Sequence, residues 1–207
     1  MPLEFVISAL VTLLVVVDPV GLVPAFVAMT ERLPASARSQ VALRACLIAF
    51  SILVGSALIG DWLLKNLGIG LPAFRIAGGL LLFWIASDMV FGWRVSREAQ
   101  TAEQAVQEHV RNIAAFPLAI PLLAGPGAIT AVILLAGRAR GDLTMLGGLL
   151  GVIVAVMLAS ILVFLVAGRL ARLLGVTGSI VLSRLLGVIL AALAVQFVID
   201  GVKAGWA

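Results

Sequence analysis

The sequence predicts an all-α membrane protein of six transmembrane helices, built as two inverted three-helix repeats. Three observations lead there. Of 207 residues, 63% are hydrophobic and only 12% are charged, against roughly half apolar and a quarter charged in soluble domains. The mean hydropathy is +1.23. The apolar residues fall into runs of about twenty, the length of helix that crosses a ~30 Å hydrocarbon core. That composition excludes a disordered chain, a coiled coil and a nucleic-acid-binding domain. The net charge of +4 comes from arginines scattered in loops, not from a patch built for phosphates.

Polar punctuation divides the chain into spans at 5–29, 42–64, 70–92, 114–137, 143–168 and 179–202. Span one opens on Glu4 where a cleaved signal would carry basic residues, so it is read as a retained helix despite Ala35-Ser36-Ala37 downstream. Span two carries Ser51-x-x-x-Gly55 and span five Gly147-x-x-x-Gly151, small-residue spacings that let helices approach closely. Span three opens Arg75-Ile76-Ala77-Gly78, and span six opens Arg184-Leu185-Leu186-Gly187. Asp61, Asp88 and Asp200 fall near span ends, within reach of interfacial water. Trp62, Trp93 and Trp206 stand where amphipathic rings meet headgroups.

The polar segment from Trp93 to Asn112 separates a first repeat, 1–92, from a second, 114–207. Thr101 and Gln104 are spaced as a capping box, so the 93–113 linker is expected to hold a short helix. His109, the only histidine, reads there as a solvated side chain. Loops after spans one, three and five, with their margins, hold nine of the Lys and Arg residues (Arg32, Arg38, Arg44, Arg94, Arg97, Arg111, Arg169, Arg172, Arg184), and the other side holds five. The excess predicts a cytoplasmic linker and both termini in the periplasm.

Spans one and four each carry proline and glycine near the middle: Asp18-Pro19-Val20-Gly21 with Pro24, and Gly125-Pro126-Gly127 after Pro117 and Pro121. Three helices per half force the second copy upside down, and paired interrupted helices then point to a binding site. Proline lacks an N–H and suits the first turn of a helix after a cap. Second half-helices are therefore expected to begin at Pro19, capped by Asp18, and at Pro126, capped by Gly125. Their N-terminal ends carry unpaired N–H groups and about half a positive charge, which attracts a carboxylate.

Asp18 lies about thirteen residues into span one, near mid-membrane at ~1.5 Å per residue. An ionisable group there is costly and marks a functional site by default. It can hold an ammonium group or a cation, couple transport to H+ or Na+, or simply cap a helix. One carboxylate with two helix ends fits a zwitterion such as a neutral amino acid. The candidate binding set is Asp18, Pro19, Val20, Gly21, Gly125, Pro126, Gly127, Ala128 and Thr130; Thr130 either faces the site or bonds its own backbone. No cofactor and no metal are implied, because one aspartate without a midplane His, Cys or second carboxylate is a poor ligand set. The single Cys46 excludes an intramolecular disulfide. No His-based nucleophile, GxSxG or P-loop appears, so an enzyme is not expected. A cation carrier and a non-transporting assembly or sensor protein remain the alternatives. Membrane lipid is an expected partner, and the small-residue faces leave a homo-oligomer open.

The run DPVGLVPAF at 18–26, the run FPLAIPLLAGPGAIT at 116–130 and the run RLLGVILAALAVQFVIDG at 184–201 resemble the MarC family of bacterial inner-membrane proteins. The resemblance covers essentially the whole chain, in order, with six spans. It implies a multi-pass protein of the bacterial inner membrane. It further implies secondary transport, in a group that includes exporters of alanine- and glycine-like amino acids and is related to lysine-exporter-like carriers.

Overall fold

The computed structural model describes residues 3–31, 33–92, 112–139 and 142–206, and among these every regular element is helical. The linker expectations at Thr101, Gln104 and His109 lie outside the described residues, as do Arg32, Trp93 and Arg140. Helix α1 (Leu3–Val17) is followed after a five-residue turn by α2 (Val23–Thr30). Then come α3 (Ala35–Asn66) and α4 (Leu71–Phe91). The second half holds the irregular wide-turned segment α5 (Ala114–Leu123), α6 (Pro126–Arg138), α7 (Leu143–Leu165) and α8 (Ala167–Trp206).

Local chemistry sets these ends. Pro34 stands extended before α3, and Gly68 (φ 68°) turns the chain out of it, as the left-handed C-terminal motif requires. Pro72 occupies the first turn of α4, where a missing N–H does no harm. Gly92 (φ 82°) ends that helix with its N–H on the Met89 carbonyl. Asp142 caps α7 by accepting the Thr144 and Met145 amides. In α5, Pro117 and Pro121 interrupt the helical ladder, and Phe116 and Ile120 are extended. Gly175 (φ 60°, ψ −179°) breaks α8 near its start; the sequence reading, which begins this span at 179, did not anticipate the helical stretch before it.

Four helices are long and apolar enough to cross a membrane: α3, α4, α7 and the 177–206 part of α8. The α5–α6 pair, bent by 56°, makes a fifth if it is one span. The expected first span differs, because 5–29 is two helices of 15 and 8 residues. Large apolar side chains such as Leu47, Leu58, Leu158, Leu162, Leu185 and Val188 lie exposed. Such an apolar exterior is what a lipid-facing helix presents.

The core is assembled around two long antiparallel helices. Helix α4 packs along α8 more extensively than any other pair of elements. Gly79 sits against the Ala194 carbonyl, Gly187 against Met89 and the Ala86 carbonyl, and Gly201 against the Pro72 carbonyl. A β-carbon at Gly79 would stand 2.7 Å from the Ala194 oxygen, so only glycine allows this approach. At one end of the bundle Arg138 pairs with Asp200 at 2.7 Å and covers the Phe197 ring at 4.8 Å. Asp61 pairs with Lys65 at 2.8 Å. The spacings read as helix-packing motifs behave differently. Gly55, Gly147 and Gly151 face open space, and Ser51 bonds the Leu47 carbonyl of its own helix. Close approach to the backbone of another helix is made by Gly79 of α4 and by Gly187 and Gly201 of α8 instead.

Candidate functional site

The first break is a tight turn tied to the far end of the sequence. The Asp18 amide makes the last α1 bond, to the Leu14 carbonyl at 2.9 Å. Asp18 itself is left-handed (φ 47°), a conformation that Asp and Asn tolerate better than most side chains. One carboxylate oxygen accepts the Gly21 amide at 2.9 Å, and the other accepts the Ser183 hydroxyl of α8 at 2.9 Å. The side chain is 1% exposed. Pro19 is buried in the turn, and α2 begins at Val23 with Pro24 in its first turn. This corrects the expected start at Pro19: Asp18 closes the 18–21 turn with its own side chain, and helix resumes only afterwards. Gly21 has no room for a β-carbon, which would run into the Asp18 carboxylate and the Ser183 hydroxyl.

The second break borders an open cavity. Gly125 is extended (φ −76°, ψ 172°), and α6 starts at Pro126. The first helical bond runs from the Ile129 amide to the Gly125 carbonyl at 3.1 Å. The amides of Gly127 and Ala128 therefore precede the ladder and have no partner within the helix. Glycine as cap brings no side-chain acceptor of its own. A cavity of about 170 Å3 opens here, lined by Gly125, Pro126, Gly127, Ala128 and by Pro121, Leu122 and Leu123. Val16 of α1 and Ile85 and Asp88 of α4 complete the wall. Its volume would admit roughly five or six water-sized groups at ~30 Å3 each. Gly127 is pressed between neighbours: a β-carbon there would lie 2.5 Å from Ile85 and 3.3 Å from Val16. At Gly125 it would collide with the Pro121 carbonyl.

The structure thus gathers four expected residues, Gly125, Pro126, Gly127 and Ala128, around one cavity. Asp18, Pro19, Val20 and Gly21 do not line it; they form the neighbouring turn, and contact passes through Val16, two residues before Asp18. Thr130 is 8% exposed, has its methyl against Gly78 of α4 and does not line the cavity. Two residues were misjudged or missed in the sequence. Asp88, expected at a wet span end, is 6% exposed and lines the cavity. Ser183 was unmarked; its signal was a hydroxyl within an apolar span beside Arg184. Among the described residues no three His, Cys, Asp or Glu side chains gather as a metal ligand set.

Comparison with known proteins agrees with the helical, multi-pass architecture. Residues 3–205 match the profile of the MarC family integral membrane proteins. A UPF0056 membrane protein of Methanocaldococcus jannaschii is 38% identical over 206 residues, covering 98% of each chain. One from Archaeoglobus fulgidus is 41% identical, covering 96% of this chain and 92% of its own. The UPF0056 membrane protein YhcE of Escherichia coli is 36% identical, covering 92% and 88%. No solved structure matches the chain significantly. Full-length similarity of this kind, joined to several apolar membrane-length helices, identifies the chain as an integral, multi-pass member of the MarC family.

Proposed function

We propose that this protein is a secondary transporter of small neutral amino acids, with the cavity at the second break as its substrate site. The observation that carries the reading is the pairing of opposite attractions in one small apolar chamber. The Gly127 and Ala128 amides at the start of α6 favour a carboxylate. The Asp88 carboxylate on the facing helix favours an ammonium group. A solute that satisfies both at this size is a zwitterion of the alanine or glycine class. Asp18, closed into its turn with Gly21 and Ser183, then positions the first break and does not itself hold the solute.

The inverted-repeat reading, with 1–92 and 114–207 as its halves, is supported by mirrored packing. Helix α2 packs on α8 as α6 packs on α4, and α1 meets α7 as α5 meets α3. In a carrier of this plan, rocking of one repeat against the other exposes a fixed site alternately to each side. The bacterial inner membrane, periplasmic termini and export as direction belong to the same proposal. So does transport without a cofactor or chemical step, coupled to H+ or Na+ if coupled at all.

Binding of labelled alanine to the purified protein tests the assignment. Asp88→Asn keeps the shape and removes the charge; losing a charge-assisted bond of ~1.5–3 kcal/mol should weaken binding roughly ten- to a hundredfold. With Cys46 replaced by Ala, a Leu122→Cys side chain in the cavity wall should be alkylated more slowly when alanine is present. Undiminished binding by Asp88→Asn together with unprotected Cys at position 122 refutes the site.

A further inference from the structure

A second and larger cavity lies at the end of the bundle where α2 and α7 finish and α3 and α8 begin. It has a volume of about 350 Å3, and among the described residues its lining includes Arg38, Arg169 and Arg172 and no acidic side chain. Phe26 and Phe164 stack at 4.6 Å and 12° and form its apolar floor. Arg38 is held in place by two loop carbonyls, with Nε on Leu33 at 2.9 Å and Nη2 on Glu31 at 2.6 Å. Arg172 turns Nε to the Gly168 carbonyl at 3.1 Å. A guanidinium carries five N–H donors, so each arginine keeps donors to offer after these bonds.

Placement narrows the ligand. The cavity is made wholly of helix ends, and α3 with 32 residues is roughly 48 Å long at ~1.5 Å per residue. That exceeds a ~30 Å hydrocarbon core, so the helix reaches past it, and its polar start, with Ser36, Arg38, Ser39 and Gln40, suits headgroup level. Leu165 and Val166, both exposed, flank the arginines. Three arginines thus line one cavity beside a surface suited to acyl chains. We propose that this cavity binds the phosphate of an anionic phospholipid, Arg38, Arg169 and Arg172 contacting its oxygens while the acyl chains lie along α7 and α8. Basic pockets between membrane helices take lipid headgroups by this combination of charge and apolar flank, and arginine suits phosphate through its planar fork.

Native mass spectrometry of the full chain, carried from vesicles of mixed phosphatidylglycerol and phosphatidylethanolamine, tests the site. The wild type should retain one phosphatidylglycerol in preference to the zwitterionic lipid, and excess inorganic phosphate should not displace it. The double variant Arg169→Gln, Arg172→Gln should retain it about thirtyfold less, from two surface arginines of ordinary strength. Arg44→Gln, an exposed arginine outside the cavity, should bind as the wild type does. Helical circular dichroism verifies that each variant is folded, and should the double variant fail to fold, Arg169→Gln alone is read in its place. Equal retention of the two lipids, or undiminished retention by a folded arginine variant, overturns the proposal. Displacement by inorganic phosphate also overturns it, since the site would then be one for soluble phosphate.

Discussion

Replacing Asp18 by alanine separates a residue that builds the first break from one that merely occupies it. The substitution removes both acceptors of the turn: the Gly21 amide at 2.9 Å and the Ser183 hydroxyl at 2.9 Å lose their partner. Both donors are buried with Asp18 at 1% exposure, so water is poorly placed to replace it. A buried donor left unsatisfied costs ~1–3 kcal/mol, which gives about 2–6 kcal/mol for Asp18→Ala. Asparagine keeps an oxygen for the Gly21 amide and can donate its amide to the Ser183 oxygen, and it tolerates the left-handed backbone as well as aspartate does. Asp18→Asn should therefore cost under about 1.5 kcal/mol, the scale of one ordinary hydrogen bond. Ser183→Ala leaves one oxygen of the buried carboxylate without its donor and should cost about 1–3 kcal/mol. Unfolding of the four proteins in mixed micelles measures these values, and the Asp18→Ala, Ser183→Ala double variant should show coupling of at least ~0.5 kcal/mol. Equal destabilisation by Asn and Ala at position 18, with additive behaviour at Ser183, would refute the capping network.

Other perturbations have equally definite outcomes. A reporter active only in the periplasm should give signal when fused after Lys203 and none when inserted in the 93–113 segment; the reverse pattern inverts the proposed orientation. Gly79→Ala should loosen the α4–α8 contact, since its methyl would lie 2.7 Å from the Ala194 carbonyl; overpacking of this kind costs typically ~1–3 kcal/mol, and an unchanged unfolding midpoint would contradict the close approach. Asp142 is held below the usual carboxylate value by the Thr144 hydroxyl and then by the Met145 and Thr144 amides. A folded pKa depressed below the unfolded value near ~3.9 gives stability that is present above that value and fades as pH falls through the folded one. The difference in unfolding midpoint between wild type and Asp142→Asn should accordingly shrink on acidification below the ordinary carboxylate range, and a pH-independent difference would rule this out.

Length and apolar runs located α4 and α7 closely, because spanning helices need little beyond hydrophobicity and a terminus to be visible; α3 was placed, but its polar first two turns, from Ala35, fell outside the expected 42–64. Pro126 after Gly125 was legible for a similar local reason: the missing proline N–H and the absent cap side chain act within one turn. The first break was only half legible. Asp18 announced an irregularity, but whether helix resumes at Pro19 or Val23 depends on a side-chain bond to Gly21 and on Ser183, 165 residues away. Asp88 was misplaced for a geometric reason. Counting residues along α4 set it near a span end, whereas it is buried there and shares a cavity wall with residues 121–123 and 125–128. Gly147 and Gly151 misled because small-residue spacing records that helices can approach, not which face finds a partner.

Counterflow in proteoliposomes tests the central claim most directly. Vesicles loaded with unlabelled alanine and containing the folded wild-type protein should accumulate external labelled alanine or glycine faster than protein-free vesicles, and Asp88→Asn at equal folded amounts should do so roughly ten- to a hundredfold more slowly, by the loss of one charge-assisted bond. Imposed H+ or Na+ gradients in the same vesicles identify any coupling ion. Exchange no faster than in protein-free vesicles, across a full panel of neutral amino acids and with the protein verified as folded, would contradict the transporter account.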